Sequence, residues 1–160
     1  SARGIPAEQA NLLAHVCGGR AGLAFRLSHD GAQMEQRAAW LDDLWRLLHA
    51  NRAERFAYAE HAASARANTR EEREKIRENL RQMALTWLSF WRDVLLRSAG
   101  AAAPLTNPDQ AERVEQAAIA AELPGARKVI TALEDSLPRL ANANLQLLVE
   151  SLLLDLPRLR

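Results

Sequence analysis

The stretch TREEREKIRENLRQMALTWLSFWRDVLLRSAG, residues 69–100, decides the fold. Its large apolar side chains recur at steps of three or four residues, which places them on one face of an α-helix. They are Ile76, Leu80, Met83, Trp87, Trp91 and then Val94 or Leu95. Thr69 and Glu72 form the capping-box pattern of a helix start, and Gly100 stands where glycine commonly ends a helix. The stretch therefore predicts one helix of about 30 residues, or about 45 Å at a rise of 1.5 Å per residue.

Helical periodicity continues along the rest of the chain, and no alternating run of β-branched residues predicts a strand. Two short helices are predicted at residues 7–16 and 21–27. Asp30 is the expected N-cap of a longer helix. The side chains predicted to point inward from it are Met34, Ala38, Leu41, Trp45 and Leu48.

The middle of the chain predicts three more helices. The first is residues 51–67, with Phe56 and Ala59 or Ala63 pointing inward. The second is residues 107–122, with Asn107 as N-cap and Pro108 in the first turn. The third is residues 126–137, after a break at Pro124 and Gly125. The fold class predicted is therefore all-α, a helical bundle preceded by two short helices.

The chain ends in NANLQLLVESLLLDLPRLR, residues 142–160, which predicts a helix that begins near Asn142 or Asn144. At 100° per residue, this helix carries two apolar stripes on about opposite sides. The first stripe contains Leu145, Leu148, Val149, Leu152 and Leu156, and the second contains Leu147 and Leu154. A helix that covers a core from outside needs only one stripe. Either its own domain surrounds the helix, or a partner covers the second stripe.

Composition limits the class of protein. A length of 160 residues suits one moderate domain, or one domain with a fragment of a neighbour. The formal net charge of +1 argues against a dedicated nucleic-acid-binding protein, which usually has a strongly basic face.

Cys17 is the only cysteine, so no internal disulfide can form, which fits the reducing cytoplasm. No apolar run approaches the roughly 18–20 residues that span a bilayer. The start has neither Met nor a signal-peptide pattern, as in a processed product or an excised piece.

No set of residues predicts catalysis, a metal or a cofactor. His15 and Cys17 lack the further ligands of a zinc site and are interpreted as structural. GGRAG, residues 18–22, has neither the spacing nor the lysine of a P-loop and predicts a tight turn. His49 and His61 are expected near the ends of neighbouring helices, and surface positions are the simpler interpretation.

The aromatic cluster Trp87, Phe90 and Trp91 has helical spacing, which favours core packing over a platform on which bases stack. The run REEREKIRE, residues 70–78, mixes both signs of charge and predicts a solvated face rather than a phosphate-binding stripe.

Four stretches, in this order, carry a shared pattern: residues 4–27, 83–100, 104–112 and 137–156. They resemble, in turn, the end of the lid domain, the long collar helix, a short polar L-x-N-x-D segment and the closing helix of an AAA+ clamp-loader subunit. The positions that match are Ala10, Leu13, Ala14, Gly19, Gly22, Leu23, Ala24 and Leu27, then Leu85, Trp87, Leu88, Arg92, Asp93, Val94, Leu95 and Leu96, then Asn142, Asn144, Leu147, Leu148, Glu150, Leu152, Leu153, Leu154 and Leu156.

Within that family the chain is most similar to the delta-prime subunit of the bacterial DNA polymerase III clamp loader. Active ATPase subunits of the family place an arginine just after the glycine turn. The position that aligns with it is Gly22, and Arg20 and Arg26 are out of register. The resemblance therefore implies a non-hydrolysing delta-prime subunit, with the gamma/tau ATPase subunit as the alternative.

The resemblance implies that residues 1–28 are the end of a lid domain and residues 29–160 a collar domain. Such a fragment lacks the nucleotide-binding domain and is expected not to hydrolyse ATP. Because five collar domains form a ring in the family, the implied partners are the gamma/tau and delta subunits. DNA and the sliding clamp are reached only through the complex, and no membrane is involved. The candidate interface residues are Leu147, Leu154, Trp87 and Trp91. A bundle that binds nucleic acid or a small ligand through Trp87 and Trp91 is the alternative from another class.

Overall fold

The computed structural model of the protein describes residues 31–63 and 69–159. These residues form five helices: α1, Gly31–His49; α2, Arg52–Ala63; α3, Arg70–Ser98; α4, Ala111–Arg139; and α5, Leu145–Asp155. A short 3₁₀ helix, Pro108–Gln110, precedes α4. No strand occurs in the described ranges, so the all-α prediction is confirmed. The two short helices and the lid region predicted before residue 29, and the Asp30 cap, lie outside the described residues.

Helix α3 begins and ends where the sequence predicts. The hydroxyl of Thr69 accepts a hydrogen bond from the backbone N–H of Glu72, and the Glu72 carboxylate accepts one from the N–H of Thr69, at 3.1 and 2.9 Å. At the other end Gly100 has a φ of 72°, and the N–H of Ala101 donates to the carbonyl of Leu96 at 2.9 Å. Glycine tolerates this left-handed conformation at the end of a helix because it has no Cβ.

The core lies along the second half of α3. Trp87, Trp91 and Val94 are fully buried there, as the helical spacing predicts. The side chains that surround them include Leu44 and Leu48 of α1, and Val114, Val129 and Leu133 of α4. The indole N–H of Trp87 donates to the carbonyl of Trp40 at 2.8 Å, so its one polar group is satisfied.

The buried face of α1 differs from the predicted one. Leu41 and Leu48 are buried as predicted. Three other residues are predicted to point inward but are not buried: Met34 and Trp45 are half-buried, and Ala38 is exposed. Arg37 is buried instead, because its guanidinium forms an ion pair of 2.9 Å with Asp109. A prediction from apolar periodicity considers only apolar residues and therefore misses an arginine that points inward.

Helix α2 shows a similar difference. The prediction that Phe56 points inward is wrong, since its side chain is 39% exposed, whereas Ala59 is fully buried as predicted. The neighbouring Arg55 takes the inward position and is only 6% exposed.

Helix α4 is interrupted at Glu122, where the first of the two predicted helices ends. The helix is assigned through Pro124 and Gly125, but Glu122 has a φ of 53° and a ψ of 179°, which interrupts the helical backbone. Pro124 then lies in the first turn after the interruption. A backbone N–H in the first turn has no acceptor within the helix, so the missing N–H of proline costs no hydrogen bond there. Asn107 stands at the N-cap of the 3₁₀ helix with Pro108 in its first turn, as predicted, but the Asn107 side chain makes no capping hydrogen bond.

Helix α5 begins after Asn144, whose side-chain oxygen accepts a hydrogen bond from the N–H of Leu147 at 3.2 Å. Its other end is held by Arg55 of α2. The guanidinium donates to the carbonyls of Leu153, Leu156 and Pro157 at 2.8, 2.8 and 2.9 Å. It also donates to the carbonyl of Leu47, near the end of α1, at 3.0 Å. Arg55 thus fixes the ends of α1 and α5 to α2.

Replacement of Arg55 by Met is expected to lower the free energy of unfolding by about 3 kcal/mol, because buried carbonyls lose their donors. Urea unfolding followed by circular dichroism measures the change. Arg52→Met, at an exposed position of the same helix, is the control and should change stability by less than about 0.5 kcal/mol. Equal losses in the two variants would contradict the role given to Arg55.

Candidate functional site

Two leucines of α5 point away from the protein. Leu147 is 62% exposed and Leu154 is 48% exposed. They are seven residues apart, about two helical turns, so both lie on one side of the helix. We call Leu147, Glu150, Ser151 and Leu154 the terminal-helix surface.

The other sides of α5 are covered. Helix α5 packs against both α2 and α4. On the α4 side, Lys128 forms an ion pair of 3.1 Å with Asp155. Toward the core, Leu148, Val149 and Leu152 border one small gap with Leu80, Met83 and Ala84 of α3. The terminal-helix surface is therefore the side of α5 that no described element covers.

The inward side of α5 is broader than the first predicted stripe. Val149, Leu152 and Leu156 are buried as predicted, but so is Leu153, which is fully buried. Leu153 lies near the predicted polar seam of Gln146 and Glu150, whose side chains hydrogen-bond to each other at 2.9 Å. Helix α2, through Arg55, covers this additional side. The first stripe thus faces the protein's own core, and the second stripe remains open.

Exposed apolar side chains cost free energy in water. Complete burial of an exposed leucine side chain contributes about 1.5–3 kcal/mol of free energy. Leu147 and Leu154 are about half exposed, so a partner that buried them would gain about 1–2 kcal/mol from each. That is sufficient to influence association, but a stable complex needs additional contacts.

Trp87 and Trp91 do not belong to this surface. Both are fully buried, so neither side chain is available to a partner or a nucleic acid base in this structure. The expected core packing of the aromatic cluster is confirmed, with Phe90 edge-on to Trp91 at 6.1 Å between ring centroids.

Other large apolar side chains are exposed elsewhere. They are Phe56 on α2, Leu85 and Leu96 on α3, and Ile119 and Leu123 on α4. The apolar periodicity predicts an open surface only for Leu147 and Leu154, so the exposure of these five side chains is found in the structure alone.

A cleft of about 760 Å³ opens between α1 and α2. His49 and His61 both line it, as the expected proximity of the two helix ends implies, and both are exposed. The hydroxyl of Tyr58 donates a hydrogen bond to the carboxylate of Asp43 at 3.1 Å and lies 3.3 Å from the sulfur of Met83. The wall of the cleft thus carries several hydrogen-bonding groups.

A buried polar network joins the matched collar motifs. Asp93 is fully buried and accepts hydrogen bonds from the N–H groups of Thr106 and Asn107, at 2.9 and 2.8 Å. The Asn107 amide also donates to Asp93 at 2.8 Å, and its oxygen accepts from Arg37 at 2.7 Å. This network ties the loop before α4 to both α3 and α1, and explains why the side chain of Asn107 makes no capping hydrogen bond.

Arg37 completes the network at its exposed end, with two hydrogen bonds of 2.9 Å to Asp109. Burial alone would raise the pKa of the Asp109 carboxyl, but hydrogen bonds from Arg37 and Gln110 and the positive charge of Arg37 outweigh it. The pKa of Asp109 therefore lies below its ordinary value, and the ion pair is intact at neutral pH.

A sequence model of the family described as DNA polymerase III, delta subunit, C terminal, matches residues 50–158. The chain belongs to this family. The match covers about two-thirds of the chain and includes α2 to α5, together with Asp93, Asn107 and Asp109 of the polar network and the terminal-helix surface. The expected relation to clamp loaders is thus confirmed at a coarser level, as a domain from the C-terminal end of one of their subunits. No curated protein and no solved structure matches the chain.

Two findings concern other classes of function. Within residues 31–63 and 69–159, every helix is too short or too polar to cross a membrane. The same ranges contain no group of three or more histidine, cysteine, aspartate or glutamate side chains that could bind a metal ion.

Tyr58 is the only tyrosine, so the ultraviolet absorbance of tyrosinate reports on it alone. Burial, the negative charge of Asp43 and the hydrogen bond to Asp43 raise the pKa of the Tyr58 phenol well above its ordinary value. We expect no ionisation near pH 10, where a free tyrosine titrates, and a lower pKa in Asp43→Asn.

Because the folded protein holds Tyr58 neutral, this contribution to stability is complete below about pH 10 and is lost as the pH rises further. Urea unfolding at several pH values should show the loss, and Tyr58→Phe should reduce it. Titration of Tyr58 at its ordinary pKa would contradict the burial and the contact with Asp43.

Proposed function

We propose that this chain is a non-catalytic assembly domain of a DNA polymerase III clamp-loader subunit of the delta-prime type. In this role it forms part of the collar that holds the pentamer together, and its partners are the gamma/tau and delta subunits. The single observation that carries the proposal is the open side of α5. Leu147 and Leu154 are exposed on a helix that is otherwise packed into a domain of this family.

The delta-prime assignment is supported by the resemblance around the glycine turn, where Gly22 aligns with the arginine of active ATPase subunits. The gamma/tau ATPase subunit is the second candidate within the family, with the same assembly role for residues 29–160. The absence of a catalytic role for this fragment is part of the proposal.

A nucleic-acid-binding bundle receives no support from the described residues. Its proposed aromatic platform, Trp87 and Trp91, is fully buried, and base stacking requires an exposed ring. The proposed function therefore relies on protein–protein contact.

The test is reconstitution with purified gamma/tau and delta subunits of the source organism. The wild-type chain should co-elute with them in size-exclusion chromatography. The double variant Leu147→Glu/Leu154→Glu should bind at least about tenfold more weakly, because two charges replace apolar contacts. Phe56→Glu, an apolar side chain of similar exposure to Leu154 on another helix, is the matched control and should bind like the wild type.

Failure of the wild-type chain to enter the complex, or ATP hydrolysis by the isolated chain, would overturn the proposed function. Binding of the double variant with wild-type affinity would remove the terminal-helix surface from it. Circular dichroism of each variant confirms that the helices are intact.

A further inference from the structure

Helix α4 contains one residue in a strained backbone conformation. Glu122 has a φ of 53° and a ψ of 179°. It is the only residue other than glycine with a positive φ in residues 31–63 and 69–159. Residues with a side chain rarely adopt this combination, because the left-handed region open to them has a ψ of about 30–60°. Strain of this kind lowers the population of the conformer that contains it by about five- to a hundredfold.

The side chain of Glu122 does not account for this conformation. It is exposed, and no hydrogen bond or ion pair holds it in the part of the chain that the structure describes. Glycine would adopt the same φ and ψ without strain. The conformation is therefore imposed on Glu122 by the packing of the chain on its two sides.

Pro124 makes a break in α4 necessary. In a continuous helix its ring would meet the carbonyl of Ala120, and its position would lack an N–H. The break is also sharp, because a Cβ at Gly125 would lie only 3.3 Å from the Cβ of Ala121. An alternative conformation of α4 is thus a break with a different angle, which the backbone of Glu122 sets.

The two parts of α4 are held unequally. We call residues 111–121 the first arm and residues 123–139 the second arm. The buried apolar side chains of the first arm are Val114, Ala117 and Ala118, and those of the second arm are Ala126, Val129 and Leu133. Ile130 and Leu137 add partly buried contacts to the second arm. The first arm buries less apolar surface, so its movement costs less free energy.

A second unfavourable feature lies next to the break. Ile119, on the first arm, is 79% exposed, the largest exposed fraction among the large apolar side chains of the described ranges. Exposure of apolar surface to water costs free energy. Backbone strain and apolar exposure thus both disfavour the described arrangement of the first arm relative to an alternative one.

We propose that Glu122 is a strained hinge, on which the first arm moves between the described arrangement and a second one in which Glu122 has a negative φ. Arg113 connects the first arm to α1 through an ion pair with Asp42, and its guanidinium lies 5.5 Å from the centre of the Trp45 ring. The Asp42 side chain is mostly exposed, and such contacts separate at little cost. A partner that binds one of the two arrangements more tightly would select it.

This inference goes beyond the proposed function and is tested on the whole chain without any other subunit. In protein labelled with fluorotryptophan, each of the four tryptophans gives a fluorine NMR signal, and Trp45→Phe identifies the signal of Trp45. Relaxation dispersion should show exchange on the microsecond-to-millisecond timescale at Trp45, because Arg113 moves relative to its ring. The fully buried Trp87 is the internal reference.

The matched variants are Glu122→Gly and Glu122→Ala. Both remove the side chain, but only glycine removes the strain from the described arrangement. The population of the second arrangement should therefore be at least about fivefold lower in Glu122→Gly than in Glu122→Ala, which should behave like the wild type.

Urea unfolding checks the strain itself. Glu122→Gly should unfold at a higher urea concentration than Glu122→Ala. Thr131, exposed on the second arm, is the control position. There the order should be reversed, since glycine is less favourable than alanine inside a regular helix.

Three results would overturn the hinge: no exchange at Trp45 in the wild type, equal populations of the second arrangement in the two Glu122 variants, or a lower urea midpoint for Glu122→Gly than for Glu122→Ala. The last result would show that the conformation of Glu122 is not strained. None of these results bears on entry into a complex with gamma/tau and delta, so the two proposals fail separately.

Discussion

Two helix ends converge on the guanidinium of Arg55, and the position of α5 depends on that contact. The last carbonyls of a helix have no partner inside the helix and carry partial negative charge. Arg55 donates to carbonyls at the ends of α1 and α5. Burial and the nearby positive charge of Arg158 lower the pKa of Arg55, but arginine starts so far above neutral pH that it remains charged. The backbone N–H of Leu159 adds a bond of 2.8 Å to the carbonyl of Leu48. With its end fixed in this way, α5 turns Leu153 inward and leaves Leu147 and Leu154 outside.

A second buried arginine connects α1 to the loop before α4. Arg37 connects α1 to Asn107 and Asp109, and Asn107 connects to the buried Asp93 of α3. Asp93 accepts hydrogen bonds from three N–H donors, which compensate for the burial of its carboxylate. The loop between α3 and α4 is fixed by this network, and with it the direction in which α4 leaves. The two arginines together connect α1 to the end of α5 and to the loop before α4.

Local features of the fold could be predicted from the sequence, because local residues determine them. The capping box at Thr69 and the glycine end at Gly100 each depend on a few adjacent residues, and each is confirmed. Of the two predicted starts of the last helix, the structure has the one at Asn144. The exposure of Leu147 and Leu154 was one of two alternatives that the apolar pattern left open.

Features that depend on distant residues were missed. Arg37 and Arg55 are inward because of acceptors 70 to 102 residues away, and an arginine in isolation is expected at the surface. Leu153 is buried because α2 lies beside it, which the spacing of α5 alone does not show. Pro124 and Gly125 belong to α4 rather than to a break, since proline is compatible with the first turn of a helix. The interface itself depends on molecules outside this chain.

The central claim is that the exposed side of α5 contacts another clamp-loader subunit. The most direct measurement is photo-crosslinking in the reconstituted complex, with a photoreactive amino acid in place of Leu154 and, in a separate sample, in place of Phe56. The account predicts crosslinks from position 154 to a neighbouring subunit and none from position 56. Crosslinks to a neighbour from position 56 alone would place the interface on α2 and contradict the claim.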